Sequence, residues 1–462
     1  MKKLLYLFVA LFLLACSDDD RQPATGETPS ETAQELPVIT LEFPLAEWNK
    51  LLANYDLNPK NEKKVVSHFT YTFQEQTVQL DSIGLKLKGN TSRRRPETYV
   101  SGPTHQTPNT QWNHCHFNLD FSKNRDDQRF EGVNKLSLKW CKDDPTYVRE
   151  MYCYDLFERY GVWTAPKARY CRLKIHVAGD PEPAYYGVYL MIESVDEDFI
   201  AKRQANWTGS QGFLWKGGYG SDGLNANLVQ TTSMGVEDVT LSAATSTYYA
   251  YDLKTREDEL ASAKTELMQF ITDLNTKTGD DFKTWIAQKM DIQLFLKTYA
   301  VNVVVGMWDD YWVNANNFYF YFAGNGKAYF IPYDYDNTLG TSSLLANSGT
   351  QNPLVWGPSG NRPLMTKILA IPEYRDLYKS YISALLASDN LFAFNGSYAR
   401  IRAWQQLLKP YVDNDTGEDY MIYDQPAEWG NQSNYRLLSG DNAGGTNGPA
   451  NWFKTRANNI PW

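Results

Sequence analysis

This 462-residue chain predicts an α+β fold with strands concentrated in its first half. Three observations predict it. Short β-prone runs recur between residues 37 and 193, helical patterns interrupt them near residues 145–160 and 196–203, and an aromatic hairpin follows at residues 317–333. No internal repeat, heptad array or late hydrophobic segment competes with that reading.

In order, Pro37-Val-Ile-Thr-Leu-Glu-Phe43 reads as a strand, residues 45–53 as a short helix and residues 64–73 as another strand. Strand-like residues 77–80 lead to Ile83-Gly-Leu-Lys-Leu-Lys88, which runs into the small basic turn Gly89-Asn-Thr-Ser-Arg93. There Gly89 lets a backbone approach a ligand, while Asn90, Thr91, Ser92 and Arg93 offer donors to an anion. Residues 117–121 and 135–139 are strand-like, residues 145–160 helical, and residues 171–176 and 186–193 a strand pair. Residues 196–203 form a helical stretch.

The hairpin carries the chemistry. Asn317-Phe-Tyr-Phe-Tyr-Phe322 and Ala328-Tyr-Phe-Ile-Pro-Tyr333 flank a Gly-Asn-Gly turn, so an antiparallel pair is expected. Pairing brings the residues before the first strand beside those after the second, so Asp309, Asp310, Asn316 and Asn317 meet Asp334 and Asp336. If Asp334 and Asp336 continue the strand, they share one face. Clustered carboxylates and amides suit a hard cation such as Mg²⁺, with Mn²⁺ or Ca²⁺ as alternatives. A solvated Asx turn or a structural Ca²⁺ loop would present the same short motif.

The start of the chain has another character. Met-Lys-Lys, an apolar run over residues 4–15 and the lipobox Leu13-Leu14-Ala15-Cys16 read as an export signal rather than a spanning helix. It resembles the leader of bacterial lipoproteins, which implies cleavage before Cys16 and lipidation of its thiol. Ser17-Asp-Asp-Asp-Arg21 resembles the acidic export tag of surface lipoproteins in the Bacteroidota. These resemblances imply anchoring in the outer membrane, on its periplasmic or surface face. Residues 17–36, rich in Ser, Thr, Pro and acids, read as a disordered tether.

Net charge is −9, which excludes a broad nucleic-acid footprint, the Arg93-Arg94-Arg95 run being a local exception. Cys115, Cys141, Cys153 and Cys171 suit either two disulfides in an oxidising compartment or four free buried thiols. His114-Cys115-His116 looks like a metal tract, but strand alternation separates the Cys from both His, so it is weak.

Five segments recur together. Leu85-Lys-Leu-Lys-Gly-Asn-Thr-Ser-Arg93, Leu136-Ser-Leu-Lys139, Val148-Arg-Glu150 with Tyr154-Asp-Leu-Phe157, Gly187-Val-Tyr-Leu-Met-Ile-Glu-Ser-Val-Asp196 and Ile331-Pro-Tyr-Asp-Tyr-Asp336 follow one another in an order that resembles the spore-coat protein H (CotH) kinase family. Trp452-Phe-Lys-Thr-Arg456 resembles its closing helix. The resemblance implies a bilobed, atypical protein-kinase-like fold. Residues 37–193 would be a β-rich N-lobe and residues 194–462 a larger, mostly helical C-lobe with a metal-site hairpin.

It implies ATP and Mg²⁺ as cofactors and a protein Ser or Thr hydroxyl as acceptor. The turn at residues 89–93 would cover the nucleotide phosphates, with Lys139 reaching them and Glu150 holding Lys139. Tyr189 to Asp196, Glu193 among them, would form the hinge between lobes, with adenine against its backbone. Asp309 would orient or deprotonate the acceptor with Asp310 as understudy, and Asn316 or Asn317, Asp334 and Asp336 would hold metal. The spacing departs from the usual kinase loop, where the catalytic Asp precedes its Asn by about five residues: Asn316 and Asn317 lie further on, and Asn314 has the usual spacing. A second reading is a catalytically silent surface lipoprotein that binds glycan or a partner protein through exposed aromatics. Its support is the high Tyr and Trp content, with Tyr311, Trp312, Trp356, Trp429 and Trp452 expected in loops.

Overall fold

Alternating inward and outward side chains shape the first half of the chain into a closed barrel. A computed structural model describes residues 35–98, 104–107, 111–209, 211–345, 347–418, 421–427, 435–441 and 450–462. The export signal, Cys16, residues 17–34 of the expected tether and Trp429 lie outside the described residues.

The barrel strands are β1 (Val38–Phe43), β2 (Val65–Phe73), β3 (Gln76–Lys88), β4 (His116–Asp120), β5 (Lys135–Trp140), β6 (Ala168–Val177) and β7 (Ala184–Glu193). They run in the order β1-β2-β3-β4-β5-β7-β6, and a parallel β1–β6 pairing closes the ring. Its interior is filled by residues such as Leu85, Leu87, Phe117, Leu119, Leu136, Leu138, Tyr189 and Met191. Helix α1 (Leu45–Leu57), longer than expected, adds Trp48, Leu51 and Leu52 to that core. The two runs at residues 77–80 and 83–88 are one strand.

Because side chains alternate at a period of two, Lys86, Lys88, Ser137 and Lys139 project outward from the barrel. On β7 the outward residues Val188, Leu190 and Ile192 belong to a second core. That strand is therefore nearly all apolar: both of its faces are covered.

The second core is built on helix α2 (Arg149–Arg159), which buries Tyr152, Cys153, Leu156 and Phe157 there although it lies before residue 193. Asp196 caps α3 (Glu197–Lys202) by accepting from the amides of Asp198 and Phe199, and α4 (Gln204–Trp207) follows. Next come β8 (Phe213–Gly217), β9 (Met234–Gly235), β10 (Tyr251–Leu253), α5 (Leu260–Thr276), α6 (Gly279–Lys289) and α7 (Ile292–Val305). The hairpin is β11 (Phe318–Phe322) and β12 (Ala328–Pro332), with Phe318 opposite Pro332. These strands form a sheet ordered β12-β11-β8-β10-β9. Helices α8 (Pro363–Ala370), α9 (Pro372–Ala387), α10 (Phe394–Leu408) and α11 (Trp452–Asn458) complete the fold.

Several loop expectations change. Tyr311, Trp312, Trp356 and Trp452 are at most 2% exposed, so these aromatics fill the core instead of presenting binding faces. Trp356 donates to the Met307 carbonyl and Trp452 to that of Val304. Cys115, Cys141, Cys153 and Cys171 are free thiols. His114 and His116 stack against or tilt toward Trp140, and among the described residues no three His, Cys, Asp or Glu side chains form a metal-ligating group. No described helix is long and apolar enough to cross a membrane.

Candidate active site

Strand register builds one side of the site. Lys88 pairs with His116 across β3 and β4, and the adjoining Phe117–Leu138 pair sets His116 beside Lys139 on β5. Lys139 therefore leaves the barrel toward α2, and its Nζ lies 2.8 Å from Glu150 Oε1. From the other side, the segment after β12 brings Asp334 Oδ1 to 2.5 Å and Asp336 Oδ2 to 3.5 Å from the same nitrogen. The Lys139 side chain is 5% exposed, and three carboxylates surround its ammonium. Burial alone would favour its neutral form, but Asp334, Asp336 and Glu150 hold it charged and raise its pKa well above the usual value.

Asp334 does not continue the strand. Its φ of +65° turns the backbone, and the Asp334 amide donates to the Tyr154 hydroxyl. The Tyr335 amide donates to Glu150 Oε1 at 3.4 Å, so Glu150 ties together Lys139, α2 and the post-hairpin segment. Burial works to raise Asp334, but Lys139 and Lys88 outweigh it and hold the carboxyl at about 2. Glu150 moves the other way: burial, only partly offset by Lys139, pushes it up to about 7.

The loop before β11 explains the irregular Asp–Asn spacing. Ala315 and Asn317 adopt left-handed φ values of 54° and 50°, folding the loop back on itself. Asn314 Nδ2 lies 2.6 Å and Asn316 Nδ2 3.2 Å from Asp309 Oδ1, and Asn317 Nδ2 lies 2.9 Å from Oδ2. All three amides converge on one carboxylate. Asn314 also accepts from the Tyr219 hydroxyl at Oδ1, which commits its amide within the protein. Burial pushes Asp309 up to about 7, the amides oppose that rise, and Asp334 and Asp336 add to it. Asp309 thus senses the carboxylates beside Lys139.

Other expected residues have different surroundings. Asp310 is 1% exposed and accepts from Asn302 Nδ2 at 3.0 Å and the Val313 amide at 3.2 Å, which commits it to joining α7 to this loop. Arg93 donates to the carbonyls of Gly89, Pro59 and Asn61, so its guanidinium fastens the turn to residues 59–61. Gly89 has φ +111°, and a Cβ there would meet Ser92 Oγ at 2.4 Å. Asn90 and Thr91 are exposed and Ser92 is half-buried. Glu193 forms a bidentate pair with Arg203 at 3.0 and 2.7 Å and is not part of the Lys139 cluster.

Sequence reasoning missed Lys88 as a site residue. Its Nζ donates to Ser137 Oγ at 3.0 Å and lies 5.1 Å from the centre of the Tyr333 ring, next to Asp334. The available signal was its alternation with Leu85 and Leu87, which puts it on the same barrel face as the row leading to Lys139.

The CotH kinase protein family matches residues 104–436 of this chain. The chain belongs to the CotH kinase family. That span includes Lys139, Glu150, Asp309, Asn316, Asn317, Asp334 and Asp336, whereas the turn at residues 89–93 precedes it. The chain is also similar to the inner spore coat protein H of Bacillus subtilis (strain 168), at 26% identity over 286 residues, covering 61% of this chain and 70% of that protein. Four of the five motif segments read from the sequence lie inside the matched span; Leu85–Arg93 precedes it and Trp452–Arg456 follows it.

Proposed function

We propose that this CotH family member is an atypical protein kinase that transfers the γ-phosphoryl group of ATP to a Ser or Thr hydroxyl of a protein acceptor. The observation that carries the proposal is Lys139 on a barrel strand, held by Glu150 of α2 and facing Asp334 after the hairpin. In a bilobed reading the barrel and the helix-rich remainder are the two lobes, and the cluster lies where their elements meet.

The donors suit a hard divalent cation. Asp334 and Asp336 are 34% and 25% exposed, recessed yet reachable. Asn316 and Asn317 use their NH₂ groups on Asp309, which leaves their carbonyl oxygens for ligation. Mg²⁺ needs few protein ligands, because it keeps water and substrate phosphate in its coordination sphere. Bound Mg²⁺ would neutralise charge on the phosphates as it accumulates.

Glu150 positions Lys139, and Lys139 contacts phosphate oxygen. Asp309, oriented by three amides, accepts the proton of the acceptor hydroxyl as that oxygen bonds to the γ-phosphorus and the bond to the bridging oxygen of ADP breaks. Asp310 supports this loop from beneath. A silent glycan- or protein-binding role is not favoured, because Tyr311, Trp312, Trp356 and Trp452, four of the aromatics expected to carry it, are buried.

For location, we propose an outer-membrane lipoprotein anchored through a lipid, including palmitate, on Cys16. Labelled palmitate should enter the wild-type chain and not Cys16→Ala.

Calorimetric titration with Mg-ATP tests the enzymatic reading. Wild type should bind with metal dependence and Asp334→Ala should lose it. Absence of metal-dependent nucleotide binding in wild type would refute the reading.

A further inference from the structure

The connection from β8 to β9 is rich in Gly and Asn, yet it begins as a fixed turn. Gly217 ends β8 directly opposite Phe318, the first residue of β11, so the chain leaves the sheet beside the Asp309 loop. A Cβ on Gly218 would stand 3.5 Å from Asn316 Oδ1, which puts the backbone itself against that loop. Tyr219 then bridges to Asn225, the Gly220 amide donates to the Leu224 carbonyl, and the Gly218 amide donates to that of Ala250. The Ser233 hydroxyl donates to Asp222 and accepts from the Ala250 amide, which closes the turn from behind.

This turn holds Tyr219 against Asn314. The residue is 46% exposed, but its hydroxyl lies 2.6 Å from Asn314 Oδ1 and 2.8 Å from the Asn314 carbonyl oxygen. Both oxygens are acceptors, so the tyrosine is the donor. A hydroxyl that only tied down the loop would need the carbonyl alone, whereas the shorter contact is to the side chain. That contact selects which end of the Asn314 amide faces inward. With Oδ1 held by Tyr219, Nδ2 is turned to Asp309 Oδ1 at 2.6 Å. Asp309 Oδ1 also receives Asn316, whereas Oδ2 receives Asn317 alone. The doubly bonded oxygen is the anchored end, and Oδ2 keeps the spare acceptor capacity.

We propose that Tyr219 is a positioning residue for phosphate transfer: through Asn314 it fixes the rotation of the Asp309 carboxylate so that Oδ2 meets the acceptor hydroxyl. The role rests on the phosphotransfer reading and adds to it a support supplied from outside the Asp309 loop. Because Tyr219 acts through Asn314, its hydroxyl touches neither acceptor nor nucleotide. Its loss slows the transfer step without weakening Mg-ATP.

Initial rates on the full chain, with labelled γ-phosphate in Mg-ATP and a Ser- and Thr-rich protein acceptor, test this role. Tyr219→Phe should lower kcat about tenfold and leave KM for Mg-ATP unchanged. Asn314→Ala should lose at least as much. The double variant should lose no more than Asn314→Ala, because the hydroxyl reaches Asp309 only through that amide. Tyr219→Phe should melt close to wild type, which separates positioning from scaffolding. Tyr398→Phe, at an exposed tyrosine on α10, is the control and should keep the full rate. Tyr219→Phe at the wild-type kcat, a loss confined to KM, or losses that multiply in the double variant would overturn the role while leaving the kinase reading in place. A wild-type chain that transfers no phosphate overturns both.

Discussion

Lys139 Nζ lies 2.5 Å from Asp334 Oδ1, across 195 residues of sequence. The contact joins a barrel strand to the segment that leaves the aromatic hairpin. Glu150 makes it possible, since its carboxylate takes both the Lys139 ammonium and the Tyr335 amide.

Replacing Glu150 therefore affects more than a charge. Glu150→Ala should destabilise the fold by about 3 kcal/mol, the lower end for breaking a buried pair because Lys139 keeps Asp334 and Asp336. Phosphate transfer should fall by about a hundredfold, since Lys139 is no longer positioned. Chemical denaturation and initial rates measure the two effects separately.

The two neighbouring acids should part company. Asp309 must be ionised to accept a proton, and its carboxyl is pushed up to about 7, so the transfer rate should rise with pH through that value. Asp309→Asn should abolish this limb and most of the activity while the fold remains. Asp310→Ala should instead cost about 2 kcal/mol of stability by stranding Asn302 and the Val313 amide. A pH–rate profile beside melting curves distinguishes a reacting carboxylate from a supporting one.

Far from the cleft, His105 links Glu97 and Asp180 and is 4% exposed at its side chain. Burial disfavours its charged form, but the two acids overcome this and raise its pKa. A raised folded-state pKa stabilises fully below the unfolded value and is lost as pH rises through the folded one. His105→Gln should therefore lower the melting temperature more at pH 5.5 than at pH 9. An equal loss at both pH values would contradict a charged clasp.

The sequence exposed those features that depend on local pattern. Alternation located the strands carrying Lys139 and Glu193, and turn chemistry located the hairpin that brings Asp309 near Asp334. It did not show that β3 is continuous, because Ser82 takes a positive φ at a point that reads as a break. Neither did it show that Asp334 turns out of the strand, nor that Asn314, Asn316 and Asn317 all reach Asp309, since both depend on left-handed backbone at Asp334, Ala315 and Asn317. Aromatic burial was misread because a Trp in a Gly- and Asn-rich segment looks exposed until long-range packing covers it. Arg93 and Glu193 looked available for ligand because their partners, the carbonyls of residues 59–61 and Arg203, are set by tertiary structure.

Transfer of labelled γ-phosphate from Mg-ATP to a Ser- and Thr-rich protein acceptor, compared among wild type, Lys139→Met and Asp309→Asn, tests the account most directly. Wild type should label the acceptor, and both variants should fall by about a hundredfold or more with their melting curves still cooperative. Labelling by Lys139→Met at the wild-type rate would contradict the assignment of this cluster as the phosphotransfer site.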